Sequence, residues 1–429
     1  MLYEMREAQR AFLNPLSTWA EAVSKLYGDP YSPFSYAPFS RRISAGFELL
    51  HRLGKEYEKP GFDLPETTVD GEPVGVVEKL ELARPFCRLV KFERMLPARL
   101  EKRAADPKVL VFAPLSGHHS TLLRDTVRAL LPDHNVYITD WVDARMVPMT
   151  AGPFHLHDYV AYCIDFIRHL GPDVHLLSVC QPTVPVLAAV SVMSTLKDER
   201  LPRTMTMMGG PIDTRQSPTQ VNNLATDHDI GWFERNLIYR VPAKYPGAGR
   251  AVYPGFLQHT GFVAMNPDRH AKSHWDFYMD LVRGDLDDAS SHRKFYDEYN
   301  AVLDLPAEYY LDTVRIVFQE WRLPNGTWEI PFEGKTVRVA PEDITVPWLL
   351  TIEGELDDIS GQGQTEAAHG LCAGIPKSRK RHLTALQAGH YGIFSGRRWR
   401  EIIYPQLRDF IREGAAARPA AQLRSVTAA

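Results

Sequence analysis

The hydrophobic pattern is most regular between residues 173 and 193, where two apolar runs flank a single cysteine. Residues 173–179 form a short apolar run that predicts a buried strand, because such strands are apolar at nearly every position. Residues 182–193 have almost no polar face, which predicts a helix that is buried on all sides and begins near Pro182. Cys180 therefore lies where a buried strand turns sharply into a buried helix.

Similar strands alternate with helices along much of the chain. Apolar runs at 108–114, 135–139, 203–211, 345–354 and 381–386 predict further strands, and their alternation with helices indicates a parallel sheet. Segments 67–77 and 87–94 predict antiparallel strands at the start, joined across turns such as Asp70-Gly71. The sheet pattern is absent from 217 to 341, where Trp, Tyr and Phe recur at helical spacing. We therefore predict an α/β class of fold, specifically an α/β-hydrolase with a helical lid inserted after the sixth strand.

The same pattern divides the chain into five segments. Residues 1–62 are predicted to form an N-terminal helical extension, 63–216 the first part of the hydrolase core and 217–341 the lid. Residues 342–414 complete the core, and 415–429 are expected to form a disordered tail.

A stripe of apolar residues marks a helix in the N-terminal extension. Asn14 and Pro15 indicate its start, and apolar residues then recur on one face until Gly28. The members of this face are Leu16, Trp19, Ala20, Val23 and Leu26. We favour packing of this face on the protein's own core, and contact with a lipid-like or polymer surface is the alternative.

Composition excludes several classes of protein. Of 429 residues, 49 are Lys or Arg and 53 are Asp or Glu, so a net charge of −4 argues against a nucleic-acid partner. No secretory signal and no apolar run long enough for a transmembrane segment is legible. The four cysteines are far apart without Cys-x-x-Cys spacing, which argues against a zinc site or a disulfide framework and favours the cytoplasm.

Cys180 is the candidate nucleophile. A thiol at a helix N-terminus is favoured as thiolate, although a buried cysteine more often serves as a small hydrophobic residue. The catalytic interpretation gains support because an acid follows a later strand and His390 follows the last one, in the order that this fold requires. Asp357 and Asp358 are both candidates for the acid. We choose Asp357, since neighbouring side chains leaving a strand point in opposite directions.

The oxyanion formed during such chemistry needs hydrogen-bond donors. The backbone N–H of Gln181 follows the nucleophile, and the loop after the strand at 108–114 supplies the second donor in this fold. That loop contains Ser116, Gly117 and His118, which we predict to bind the oxyanion or the substrate. No motif for a bound cofactor or metal is legible.

Several motifs resemble one family, the intracellular poly(3-hydroxybutyrate) depolymerases, over nearly the whole chain. They are Met1-Leu-Tyr, Asn14-Pro-Leu-Ser-Thr-Trp19, Ala113-Pro-Leu-Ser-Gly-His118, Tyr137-Ile-Thr-Asp-Trp-Val-Asp-Ala-Arg145, Val179-Cys-Gln-Pro182 and Gly389-His-Tyr-Gly392. The resemblance implies hydrolysis or thiolysis of a polyester stored in cytoplasmic granules. It maps the family's cysteine nucleophile, acid and histidine onto Cys180, Asp357 and His390.

The resemblance also implies partners and leaves alternatives. The expected partner is the polyhydroxybutyrate polymer or its granule surface. The acceptor of the acyl group is either water or coenzyme A. A homo-oligomer is compatible with the sequence. The related polyhydroxyalkanoate synthases carry Gly-x-Cys-x-Gly, whereas this chain has Ser178-Val-Cys-Gln-Pro182, which disfavours a synthase. The remaining alternatives are an acyltransferase or esterase acting on small metabolites, and a granule-coating protein without activity.

Overall fold

The computed structural model describes residues 2–265 and 267–416 and is built around a nine-stranded sheet. The strands before the insertion are β1 (Glu66–Val69), β2 (Glu72–Ala83), β3 (Cys87–Arg94), β4 (Lys108–Phe112), β5 (Asn135–Trp141), β6 (Val174–Val179) and β7 (Thr204–Met208). Those within it are β8 (Tyr239–Arg240), β9 (Ala251–Tyr253), β10 (Leu305–Pro306), β11 (Glu329–Phe332) and β12 (Lys335–Arg338). The main sheet ends with β13 (Trp348–Gly354) and β14 (Lys380–Ala385).

The helices flank this sheet or lie beyond it. In chain order they are α1 (Leu2–Gly28), α2 (Ser40–Gly54), α3 (Arg124–Leu130), α4 (Leu156–Leu170), α5 (Thr183–Thr195), α6 (Gln220–Asp227), α7 (Ile230–Leu237), α8 (Gly255–Met265), α9 (Pro267–Arg283), α10 (Leu286–Tyr299), α11 (Ala307–Thr313), α12 (Ala368–Leu371), α13 (Gly396–Arg398) and α14 (Tyr404–Ala416). Short π-helical segments follow α11 at Val314–Gln319 and α13 at Trp399–Ile403.

The strand order identifies the fold. The order across the main sheet is β1-β2-β3-β5-β4-β6-β7-β13-β14. Neighbours are antiparallel from β1 to β5 and parallel from β5 to β14. Without β1, the remaining eight strands have the order of an α/β-hydrolase sheet, whose second strand runs antiparallel to both of its neighbours. The predicted fold class is confirmed.

The core lies on both faces of the sheet. Helices α4 and α5 cover one face, and α3 and α14 cover the other. Every residue of α5 from Thr183 to Met193 is buried, which explains why this stretch has no polar face. The β6 strand is likewise buried at all of its positions. The strand and the helix that flank Cys180 are therefore fixed on all sides.

The predicted turn at Asp70 and Gly71 is confirmed. It joins β1 and β2 in a hairpin, so the segment at 67–77 contains two strands. Both turn residues have positive φ, +50° and +84° respectively. This conformation matches a tight two-residue turn, for which Asp-Gly is a favoured pair because glycine tolerates positive φ.

The insertion lies between β7 and β13, after the sixth of the eight hydrolase strands, as predicted. Helices α6 to α11 supply most of it. The expectation that 217–341 contains no strands was wrong, because β8, β9 and β10 form a three-stranded sheet and β11 pairs with β12. Strands of two to four residues are too short to show a periodic pattern in the sequence.

The N-terminal helix starts earlier than predicted. Helix α1 begins at Leu2 and continues through Pro15, which was expected to mark the start. A tertiary contact fixes its first turn, since the Tyr3 hydroxyl donates a hydrogen bond to Asp304 Oδ2 at 2.6 Å and the ring packs edge-on against Phe256. Sequence signals for the start of a helix depend on neighbouring residues, so they do not reveal a contact with a distant part of the chain.

The packing of α1 divides the apolar face that was expected to pack on the core. Its buried residues are Tyr3, Ser17, Ala20 and Ser24, and Val23 is half-buried, whereas Leu16, Trp19 and Leu26 are exposed. Hydroxyl contacts join the two helices: Ser17 Oγ lies 3.0 Å from His51 Nδ1, and the Ser44 hydroxyl donates to the Ser24 carbonyl oxygen. Small residues thus face α2 and large apolar residues face outward.

The C-terminal end also differs from expectation. Helix α14 extends to Ala416, so the first two residues of the predicted tail are helical. Residues 417–429 of that predicted tail lie outside the described residues. Within the residues that the structure describes, no helix is both long and apolar enough to cross a membrane.

Packing of α1 on α2 through small side chains predicts a position-specific effect of leucine. Ala20 has 0% exposure, so Ala20→Leu should lower the free energy of unfolding by about 1–3 kcal/mol, because the added methyl groups force the two helices apart. The measurement is urea unfolding followed by tryptophan fluorescence. Ala22→Leu, at an exposed position two residues away, serves as the control, and equal effects of both substitutions would contradict this packing.

Candidate active site

Cys180 occupies a strained turn between β6 and α5. Its φ is +67°, in the left-handed region that residues other than glycine rarely adopt. Its backbone N–H donates a hydrogen bond to the carbonyl oxygen of Met208 at 2.7 Å, which ties the turn to the end of β7. A strained strand-to-helix turn that presents a side chain above the sheet is the nucleophile elbow of α/β-hydrolases. Cys180 is partly exposed, whereas Cys87, Cys163 and Cys372 are buried.

His390 and Asp357 meet at the ends of β14 and β13. His390 Nδ1 lies 2.8 Å from Asp357 Oδ2, and both side chains are almost fully buried. The other carboxylate oxygen of Asp357 accepts hydrogen bonds from the backbone N–H groups of Ile359 and Ser360, at 2.9 and 2.8 Å. Asp358 is exposed. The structure therefore brings Asp357 to His390, and the backbone donors hold its carboxylate in place.

Cys180 is close enough to His390 to affect the pKa of its imidazole. Burial alone lowers the pKa of His390, but the charges of Cys180 and Asp357, together with hydrogen bonds to both, raise it well above its usual value. Interactions that favour the protonated imidazole therefore outweigh the effect of burial at His390.

A glycine that the sequence analysis did not single out leaves room for the pair. Gly209 follows β7 with φ +55°, and a Cβ there would lie 3.3 Å from both Asp357 Oδ2 and His390 Cε1. The same Cβ would lie 2.7 Å from Ile393 Cδ1, closer than real Cβ atoms approach. The signal in the sequence was the Gly209-Gly210 pair directly after a buried strand.

Tyr309 of the insertion is a second residue that the sequence analysis missed, because it was treated only as one of many lid aromatics. It is buried, and its hydroxyl donates a hydrogen bond to the carbonyl oxygen of Leu115 at 3.0 Å. Burial raises the pKa of the Tyr309 hydroxyl far above its usual value, and Cys180 and Gln181 are close enough to affect that pKa as well. Tyr309 therefore joins the lid to the loop beside the elbow.

The four residues predicted to bind the oxyanion or the substrate have different surroundings. Gln181 directly follows Cys180, and within the described residues neither polar atom of its buried amide has a hydrogen-bond partner. Ser116 is partly exposed. Gly117 has φ +107°, and its carbonyl oxygen accepts a hydrogen bond from the Leu303 N–H at 2.8 Å. The loop is therefore attached to the segment that precedes α11.

The His118 side chain packs against the insertion. Its Nε2 lies 3.2 Å from the carbonyl oxygen of Tyr299, and its ring stacks on Phe262 with 5.1 Å between centroids. Burial lowers the pKa of His118 to about 4, so the imidazole is neutral at pH 7. The imidazole is thus directed at the lid, and a contribution of His118 to an oxyanion site would come from its backbone.

Two groups of side chains offer donor atoms close enough together for a metal ion. One comprises His155, His157 and Asp312, where α4 meets the lid, and the other comprises Glu353, Glu366 and His382. In the second group Glu353 already accepts hydrogen bonds from the backbone N–H groups of Gly363, Thr365 and Glu366. Neither group contains Cys180, Asp357 or His390.

The contact between Asp357 and His390 predicts how Cys180 reacts with iodoacetamide. Asp357→Asn removes a charge that raises the pKa of His390, so the imidazolium beside the sulfur becomes less populated at neutral pH. Alkylation of Cys180 at pH 7 should slow on the order of tenfold, the effect of about one pKa unit. Mass spectrometry separates Cys180 from the three buried cysteines. Asp358→Asn is the matched control, and an equal slowing in both variants would show that Asp357 does not act through His390.

Comparisons with solved structures give low similarity over most of the chain. A lipase described as putative from Acinetobacter baumannii AYE is 12% identical with a TM-score of 0.40, covering 79% of this chain and 92% of that chain. The monoacylglycerol lipase of Paleococcus ferrophilus is 13% identical with a TM-score of 0.40, covering 72% and 94%. A thermophilic esterase from Thermogutta terrifontis is 11% identical with a TM-score of 0.38, covering 82% and 97%. Nothing about substrate or mechanism follows from similarity at this level.

A comparison with curated proteins found no match. A comparison with family models matched residues 209–415 to the family described as PHB de-polymerase C-terminus. The matched segment includes Gly209, the insertion and both members of the Asp357 and His390 pair. The match over residues 209–415 supports a relationship of this chain to the PHB depolymerase family.

Proposed function

We propose that this protein is a depolymerase that cleaves the ester bonds of poly(3-hydroxybutyrate) through an acyl-enzyme on Cys180. The observation that supports it best is the thiol at a strained elbow next to His390 and Asp357, in a chain with a depolymerase-family segment. A nucleophile, a base in reach and a group that orients the base are what covalent ester cleavage requires. The expected location is the surface of polymer granules in the cytoplasm.

In the first half of the reaction the Cys180 thiolate attacks the carbonyl carbon of an ester. The oxyanion is stabilised by backbone N–H groups, of Gln181 on one side and of the loop at 116–118 on the other. When the C–O bond breaks, the imidazolium of His390 gives its proton to the departing alkoxide. The products of this half are a shortened polymer with a free hydroxyl and a 3-hydroxyacyl thioester on Cys180.

In the second half His390, now neutral, takes a proton from the acceptor as that acceptor attacks the thioester. Water gives 3-hydroxybutyrate or its oligomers, and a thiol such as coenzyme A gives 3-hydroxybutyryl-coenzyme A. Transfer to a thiol exchanges one thioester for another, and the proton taken by His390 restores the starting pair. The proposed chemistry requires no metal or bound cofactor.

Cys180→Ala should abolish release of 3-hydroxybutyrate from amorphous polymer while leaving the fold intact, because the attacking atom is lost from a small site. Cys180→Ser should retain less than about 1% of the rate, because a hydroxyl is far less ionised than a thiol beside an imidazolium. The measurement is acid release from polymer beside hydrolysis of p-nitrophenyl butyrate. Cleavage of the small ester alone would indicate a metabolite esterase. Cleavage of neither substrate would indicate a granule-coating protein.

The acceptor is tested with the same polymer and saturating coenzyme A. If a thiol is the preferred acceptor, chromatography should detect 3-hydroxybutyryl-coenzyme A in the presence of the native protein and none with Cys180→Ala. Free acid and oligomers as the sole products at saturating coenzyme A would assign the acceptor role to water.

The exposed apolar face of α1 supports contact with a polymer surface. Phe12, Leu16, Trp19 and Leu26 recur at helical spacing, and Phe12 and Trp19 are 77% and 53% exposed. The ring of Trp19 packs edge-on against Phe47 of α2, so the face continues onto the second helix. Contiguous apolar surface of this kind usually marks an interaction site, and from Phe12 to Leu26 it extends along about 20 Å of the helix.

Removal of this face should separate binding from chemistry. The triple variant Phe12→Ser, Leu16→Ser and Trp19→Ser should sediment with amorphous polymer particles several-fold less than the native protein, because apolar area is lost from the contact. Hydrolysis of p-nitrophenyl butyrate should be unchanged, since the face is remote from Cys180. Leu224→Ser, an exposed leucine on α6, is the control. Unchanged sedimentation of the triple variant would remove α1 from the polymer contact.

A further inference from the structure

A cavity of ≈ 870 Å³ lies between the N-terminal helices and the lid. Its walls come from α1, the end of α2, and helices α8 to α10. None of Cys180, Asp357 and His390 lines it. Its volume is in the range of pockets that bind small molecules, which usually combine apolar walls with a few placed polar groups.

The walls of this cavity combine apolar surface with an excess of cations. Apolar side chains such as Leu13, Phe256 and Val263 line it. The charged residues that line it are the cations Arg6, Arg10, Arg52, Lys55 and Arg145 and the acids Glu7, Glu56 and Asp304. Five cations against three acids leave a positive balance.

Most of these cations already have carboxylate partners. Arg10 pairs with Glu56 and Glu7, Arg52 and Lys55 share Asp297, and Arg145 pairs with Asp143. Each of these four side chains therefore has a carboxylate partner within the protein, although Arg52 and Lys55 share one.

Arg6 is the exception. Its guanidinium is half-buried, donates to Gln9 Oε1 at 3.2 Å and lies 6.0 Å from the centre of the Phe256 ring. Within the residues that the structure describes, no carboxylate pairs with it. Glu7 and Glu56 are near enough for their charges to act on Arg6, but their carboxylates pair directly with Arg10 and Lys244. Direct pairing with an anion offsets the cost of burying a guanidinium. Arg6 is therefore the cation of this cavity that would gain most from an anionic ligand.

The cavity is connected to the predicted oxyanion loop. Val302 lines the cavity and pairs with His118, and the next residue, Leu303, donates its N–H to the Gly117 carbonyl oxygen. Asp304 also lines the cavity, and its Oδ1 accepts a hydrogen bond from the Gly255 N–H at 2.8 Å. A ligand that contacts residues 302–304 would thus contact the same segment that is hydrogen-bonded to the loop at 116–118.

We propose that this cavity binds an amphiphilic anion, with its charged head paired to Arg6 and its apolar part along α1 and α8. The inference rests on the proposed function for the choice of ligand. A short 3-hydroxybutyrate oligomer has an ester body and one terminal carboxylate, which matches the apolar walls and the single unpaired cation. Coenzyme A also combines an anionic head with a long tail, so it is the second ligand with this chemistry.

The test measures binding without turnover, using full-length Cys180→Ala protein in isothermal titration. The probes are the linear trimer of 3-hydroxybutyrate as free acid, the same trimer as methyl ester, and coenzyme A. The free acid should bind about tenfold more tightly than the methyl ester, because a charge-assisted hydrogen bond is lost in the ester. Arg6→Gln, added to this background, should remove that preference, and Arg6→Lys should restore part of it.

Arg397→Gln is the matched control, since Arg397 is 83% exposed and remote from the cavity. Equal binding of acid and ester, or a preference that survives Arg6→Gln, would overturn the proposal. Binding of coenzyme A that depends on Arg6, without binding of the trimer acid, would support the anion site and assign it to a phosphate-bearing ligand. Polymer hydrolysis by the native protein is measured separately, so loss of the proposed function and loss of this site give different results.

Discussion

The left-handed turn at Cys180 is the constraint on which the rest of the site depends. A non-glycine residue at φ +67° is stable only when its neighbours over-determine it. Here β6 is buried at every position, α5 is buried on all sides, and the Cys180 N–H is bound to the end of β7. These contacts leave the thiol one direction in which to project, above the carboxyl ends of the parallel strands.

The neighbouring strands then bring the other two groups to the same edge. β7, β13 and β14 are adjacent and parallel, so the loops that follow them emerge side by side. Gly209 at the end of β7 is small enough to let Asp357 and His390 pack beside it. Backbone donors from Ile359 and Ser360 fix the Asp357 carboxylate, and that carboxylate orients the imidazole. In the proposed mechanism each step depends on the elbow, because the sulfur is the atom that the imidazole must reach.

The insertion and the N-terminal helices add a second layer to this core. Tyr309 and Leu303 hold the loop at 115–118 from the lid side, and Tyr3 attaches α1 to Asp304 next to them. The lid and α1 are therefore joined to the loop beside Cys180 through one short segment. The small residues between α1 and α2 direct the large apolar ones outward, so the layer that supports the site also presents the face proposed to meet the polymer.

The sequence by itself determined the hydrolase sheet, the elbow and the order of Cys180, Asp357 and His390, because buried strands and an all-apolar helix have patterns that depend only on local residues. Strand alternation was also enough to prefer Asp357 over Asp358, and the two side chains differ in the structure as that rule expects. Tertiary structure alone decided which face of α1 is buried, where α1 begins and which lid aromatic reaches the site. The physical reason is that an apolar stripe shows that a helix has two different faces, but it does not show what packs against either face. Ser17, Ala20 and Ser24 form an interface only because α2 packs against them in the folded protein. In the same way, no local pattern could have shown that Arg6 lacks a paired carboxylate among the described residues, because the cavity that it lines is formed by distant parts of the chain.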